Sequence, residues 1–211
     1  MALIEPYPLA FLSDILTPVG SITFDLVRFE ENSGTGSGQH WAAQLASPLW
    51  KLSLPLQPRD WRQAREINAR IFALGSNRSF LFCDNSYRPA NGQAAGGVVK
   101  VGVIGADRRT LSLTGLPPNF RVISGDRLSI GHSGGRQYFG QFVETMTASG
   151  AGALGQVSIE PPLPMPVTAS MAVVLDRPVI RLRVPQGSFT PFTDTPGYLS
   201  SGASLTPVQK L

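Results

Sequence analysis

The residues with the most chemical potential fall in two glycine-rich stretches. Gly131–His132–Ser133–Gly134–Gly135 fits G-x-S-x-G, the pattern of a serine nucleophile elbow. An elbow needs a strand, a sharp turn that exposes the serine, and then a helix. Its triad histidine also follows the serine. Here RQYFGQFVETM follows, which alternates like a strand, and the only other histidine, His40, lies upstream. The stretch is therefore read as a hairpin turn. Gly150–Ala151–Gly152–Ala153–Leu154–Gly155 fits G-x-G-x-x-G, but that fingerprint must open a helix so that phosphate meets its N-terminus. QVSIEPPL follows instead, another strand. One cysteine, Cys83, and two histidines leave any zinc site dependent on distant carboxylates. No spaced Asp/Glu cluster and no calcium loop is present. Paired carboxylates for glycoside cleavage stay open on spacing alone, although the 14 acidic residues sit mostly at turns or strand ends. Asp126, in SGDRL, is expected to cap a turn. Trp41, Trp50 and Trp61 could form a stacking platform for sugars or bases. The reading is of a protein that is not an enzyme, with no catalytic, cofactor-binding or metal-binding residues.

The elements that must position these residues are mostly strands. One segment, Pro58–Leu74, has helical periodicity: Trp61, Ala64, Ile67, Asn68, Ile71 and Leu74 recur at steps of three and four. Pro58 suits a first turn, and Gly75 suits a left-handed end. This face predicts a buried Trp61. The outer face carries Arg59, Arg62, Glu66 and Arg70, with Gln63 nearby; it is either solvated or pairs with a neighbouring subunit.

Before the helix, residues 21–31 read as a half-buried strand, NSGTGSGQ as a flexible loop, and 40–56 as one or two strands. After it, SFLFCD is a short apolar strand. Residues 85–97 form a turn-rich loop. VVKVGVIGAD and RRTLSLTGL predict a hairpin turning near Asp107. RVISGDRLSIG is expected to pair with RQYFGQFVETM. On RPVIRLRVP, Arg181 and Arg183 alternate against Ile180, Leu182 and Val184. Residues 1–16 read as an extended arm, and the Thr/Pro/Ser/Gly-rich stretch from Ser188 as an arm or disordered. Asp84 and the prolines at 161–166 frame a self-contained meander, so 85–163 is read as an inserted β subdomain. Residues 1–84 and 164–211 then form the parent domain. The fold class is mainly β, a barrel or sandwich with one flanking helix.

Bulk properties agree with a β scaffold. Of 211 residues 42% are hydrophobic and only 15% charged, below the ~25% of ordinary soluble domains. Gly 22 and Pro 18 suit many turns. Such a low-charge surface points to a subunit of an assembly. Net charge is +4, but the basic residues are scattered rather than run together with aromatics, which argues against specific nucleic-acid binding. The N-terminus carries Glu5, Pro6 and Pro8 and no basic region, so no signal peptide is expected. No apolar run reaches the ~20 residues of a membrane span.

Several segments taken in order resemble the distal tail proteins of long-tailed bacteriophages and gene transfer agents. These are YPLAF near the N-terminus, WKLSLPL (50–56) before the helix, GSNRSFLFCD (75–84) after it with Pro89 and Gly92 in the loop beyond, GDRLSI (125–130), QVSIEPPL (156–163) and RPVIRLRVP (177–185). The likeness spans roughly 5–185; nothing in 186–211 takes part. It implies a tube-type β-barrel whose six copies form a homohexameric ring joining the tail tube protein to the tail hub and tip proteins of the baseplate. DNA would pass through the ring in passive contact. It also implies an outer β domain, here 85–163 and expected to be OB-like, a purely structural role, and a virion tail-tip location after synthesis in the host cytoplasm. The alternative is a carbohydrate- or receptor-binding baseplate module that uses the insertion and its aromatics. The ring reading further expects the arginines at subunit contacts or outside, not lining the bore.

Overall fold

A computed structural model of the chain describes residues 5–12, 21–34, 36–92, 95–194 and 199–211. In chain order the elements are β1 (Thr23–Gly34), β2 (His40–Pro55), α1 (Trp61–Leu74), β3 (Ser79–Cys83), β4 (Val99–Ile104), β5 (Thr110–Thr114), β6 (Arg121–Val122) and β7 (Arg127–His132). There follow β8 (Arg136–Phe142), β9 (Met146–Thr147), β10 (Leu154–Glu160), β11 (Ala172–Val174), β12 (Val179–Arg183), β13 (Phe189–Thr190), β14 (Ser204–Leu205) and β15 (Val208–Gln209). The protein is mainly β, with one α-helix and one closed barrel among the described residues. No helix among them is long and apolar enough to cross a membrane.

The chain divides into two compact units. One comprises Met1–Ser13, Phe80–Arg181 and Leu211; the other comprises Asp14–Ser79 and Leu182–Lys210. The division falls inside β3 and β12, not at Asp84 and Leu163 where loop composition changes.

The first unit is a six-stranded closed barrel in the order β10-β5-β4-β11-β7-β8. Local hairpins build most of it. β4 and β5 pair across the turn at 105–109, and β7 and β8 pair from Arg127↔Gln141 to His132↔Arg136. Alternation fills the interior: Val99, Val101, Leu111, Leu113, Leu128, Ile130, Phe142, Val157 and Ile159 are all buried. Closure needs β11, which pairs with both β4 and β7 and lies beyond the proline cluster. The expected limits of 85–163 would thus omit a stave. The OB-like expectation also fails, because that fold is a partly open barrel of five strands. The prolines do not end the unit because Arg108 clamps them. Its guanidinium donates to the carbonyls of Leu163 (2.9 Å), Pro164 (2.6 Å) and Val167 (2.6 Å), and Leu163 and Val167 are buried. Asp126 does cap its turn, accepting from Ile123 N–H (2.9 Å), and it also takes Ala90 N–H (2.8 Å), which ties down the 85–97 loop.

Residues 5–12 do not extend as an arm. Tyr7 makes a parallel bridge to Phe80, and Tyr7, Phe11 and Leu12 are buried. The remainder of the expected arm, 1–4 and 13–16, lies outside the described residues. Glu5 reaches Arg181 at 3.4 Å. Arg181 is accordingly buried, contrary to its expected outward place on β12, because the N-terminal segment covers it.

In the second unit a sheet runs β13-β14-β2-β15-β12, with β1 paired to β2. Trp50, Leu52 and Leu54 face its core while Lys51 and Ser53 are exposed, as alternation predicts. The tail from Ser188 corrects expectation. β15 inserts between β2 (Val208↔Lys51) and β12 (Leu182↔Gln209), and β14 continues along β2 (Leu205↔Leu54). Leu205 and Gln209 are buried, and Gln209 Oε1 accepts from Trp50 N–H at 3.2 Å.

Candidate assembly surface

The catalytic-looking motifs are turns. His132 ends β7, Ser133–Gly135 form a tight turn in which Gly134 and Gly135 take φ of +71° and +70°, and β8 begins at Arg136. No hydrogen bond joins His132 to Ser133 among the described residues. Among the described residues His132 Nδ1 is buried without a partner, and burial together with the Arg136 charge holds the imidazole below its usual pKa. The second motif is the turn before β10. Gly152 has φ +73° there, and a Cβ on it would overlap the Leu116 carbonyl oxygen. That backbone approach is what the glycine serves. Burial also pushes up the Cys83 thiol, Tyr138 and Tyr87, the last to about 12, so all three stay protonated at neutral pH. No group of three or more His, Cys, Asp or Glu among the described residues could hold a metal ion. A groove of about 300 Å³ at the end of α1 is lined by Ile71, Phe72, Val184, Pro185 and Phe189 among others, with no titratable side chain.

What the second unit offers instead is surface. β1 and β2 form a hairpin whose outer part, residues 28–34 and 40–47, is exposed on both faces. At ~3.4 Å per residue its seven-residue β1 arm runs roughly 24 Å. The region expected to be a loose Gly/Ser loop is partly strand, since Asn32↔Ala42, Ser33↔Trp41 and Gly34↔His40 are all paired. Paired residues share a face and successive ones alternate. Trp41 and Ala43 therefore lie on one side with Ser33 and Glu31. His40, Ala42, Gln44, Asn32 and Glu30 lie on the other. Register shifts flank Phe29, and the one between Phe29 and Glu30 adds a residue, Leu45, to β2. Phe29, Trp41 and Leu45 are exposed by 39, 59 and 68%. An isolated two-stranded ribbon is marginal in water, and this one also leaves β1 as a long edge without a further strand among the described residues.

α1 supplies a second surface. Asp60 caps it, accepting from Arg62 N–H at 2.9 Å. Ala64, Ile67, Ile71 and Leu74 are buried as the periodicity predicts. Trp61 is not: it is 46% exposed, with the guanidinia of Arg62 and Arg65 at 5.1 and 5.0 Å from its ring. Periodicity fixes the angle of a residue around the helix but not how far along the axis the covering layer extends. Trp61 is the first residue of the helix, and burial begins only at Ala64. Asn68 is half-buried and accepts from Phe192 N–H at 3.3 Å. Of the residues marked as a contact face, Arg59 pairs through its backbone with Ser200, and Arg70 bonds Glu66 one turn back at 2.5 Å. Arg62 has no carboxylate partner among the described residues. Arg65 joins Arg62 on this face, although the helical spacing did not mark it, and it meets Asp194 at 3.4 Å. The three tryptophans make no common platform, because Trp50 is buried while Trp41 and Trp61 sit on different elements.

No protein-family model matches the chain, and no curated protein matches it.

Proposed function

We propose that this chain is a structural subunit of a homohexameric ring at the distal end of a bacteriophage-type tail, joining the tail tube to the tip hub around the DNA channel. The observation that carries the reading is the β1–β2 hairpin. A ribbon that exposes Phe29, Trp41 and Leu45, and whose β1 edge has no further strand among the described residues, gains its burial from another chain. A contact between such a ribbon and a different surface of the next copy is heterologous, and heterologous contacts close into rings when the rotation allows. The ordered likeness to distal tail proteins supplies the class of ring. Cation placement supports it over attraction to nucleic acid. Arg108 is spent on carbonyls, Arg127 sits 3.6 Å from Asp84, and Arg181 is paired with Glu5.

The test is the triple variant Phe29→Ser, Trp41→Ser, Leu45→Ser. Substitutions at exposed positions move stability by about 0.5 kcal/mol or less. At concentrations low enough that the parent is itself monomeric the unfolding midpoint should hold, while at higher concentrations sedimentation shows assembly lost. Oligomers unchanged from the parent protein would contradict the reading.

A further inference from the structure

The hairpin and the helix face of the second unit are chemical complements. On the ribbon, Glu31 shares a face with Trp41 and Ala43, an exposed carboxylate set among apolar side chains. Neither Glu30 nor Glu31 has an ion partner among the described residues. On α1 the arrangement is inverted: an exposed indole, Trp61, is flanked by two guanidinia. Arg62 has no carboxylate there. The Arg65–Asp194 pair is 67 and 42% exposed, a geometry in which ion pairs contribute little and exchange partners readily. Tryptophan and arginine are also the residue types most enriched among residues that dominate binding energy.

We propose that the hairpin of one copy docks on the outer face of α1 of the next, with Glu31 set against Arg62 and the apolar face of the ribbon laid on Trp61. The occupant of the helix face is a second copy of this chain. The proposal rests on the ring reading and names the contact that closes the ring. Because the two surfaces are different, each copy gives a hairpin to one neighbour and takes one from the other. Aligned charges set register and choice of neighbour.

This geometry has a signature that an intrachain role lacks. Glu31→Arg alone sets two guanidinia against each other across the contact, and Arg62→Glu alone sets two carboxylates against each other. Each variant by itself should assemble only at concentrations about ten-fold or more above the parent. Mixed together they complement. Every hairpin of one variant then meets the matching helix of the other, so the mixture should assemble near the parental concentration as rings that alternate the two chains. The assay is native mass measurement of each full-length variant and of their equimolar mixture, with one chain isotopically heavy and the unfolding midpoint of each checked. Equal numbers of light and heavy chains in every ring is the expected result. Parental rings with no rescue on mixing would overturn this contact and leave the ring reading standing. Loss of short duplex DNA binding in Arg62→Glu, with its assembly unchanged, would also overturn the contact by assigning the helix face to a polyanion. A parent protein that stays monomeric at every concentration would remove the ring reading itself.

Discussion

The tail beyond Ser188 is the part whose role the fold changes most, and Leu205→Ala tests it. Leu205 is fully buried in β14 opposite Leu54 of β2, which is buried as well. Backbone bonds bracket the site: Leu52 N–H donates to Pro207 O and Leu56 N–H to Ala203 O, both at 2.9 Å. Truncating a fully buried leucine costs about 2–5 kcal/mol, depending on how far the site collapses. With a urea slope of about 2 kcal/mol per molar, the midpoint falls by about 1–2.5 M. Trp50 is the probe, since it is buried on β2 and touches the tail through Gln209. Phenylalanine at Trp41 and Trp61, both exposed, isolates its fluorescence. A tail that merely lies on the surface would shift stability by less than about 0.5 kcal/mol. A midpoint within about 0.25 M of the parent would therefore refute the placement of β14 and β15 in the sheet.

Three further outcomes follow from the geometry. Trp61→Ala should change stability by less than about 1 kcal/mol, whereas Ile67→Ala, at a buried position of the same helix, should cost about 2–5 kcal/mol in the same titration. Gly152→Ala combines a positive φ with overlap against the Leu116 carbonyl, so the barrel should lose about 2–4 kcal/mol, read by its thermal midpoint. His132 has its pKa depressed in the folded barrel, so the unfolded chain binds the proton more readily. Stability contributed by the neutral ring is present above the unfolded value of ~6.5 and falls as pH drops through it. His132→Gln should flatten stability between about pH 7 and 5; an unchanged slope would contradict the assignment.

The barrel is legible in the sequence wherever its pairing is local. The 99–114 and 127–142 hairpins announce themselves by alternation on either side of Gly- and Asp-containing turns, and α1 by its 3.6-residue period. The remainder depends on contacts distant in the chain. β14 and β15 are two residues each, too short to show alternation, and their pairing with β2 joins residues about 150 positions apart. Their Pro- and Ser-rich setting imitates a disordered tail. β11 hides behind prolines that read as a boundary, because nothing local shows that Arg108 would collect three carbonyls and order them. On α1, Arg62 and its neighbours are visible as a helix face. The expected burial of Trp61 fails because a helical wheel carries no information about how far along the helix axis burial extends. The hairpin escapes notice as a surface because its Gly- and Ser-rich tip reads as a flexible loop, although Asn32, Ser33 and Gly34 are paired with β2.

The central claim is a closed ring of this chain, and native mass measurement of the purified full-length protein over a concentration series tests it most directly. The account predicts a discrete species near 136 kDa, six times the 22.6 kDa chain, growing in at the expense of monomer. A single 22.6 kDa species at every concentration, or a ladder with no preferred closure, would contradict it.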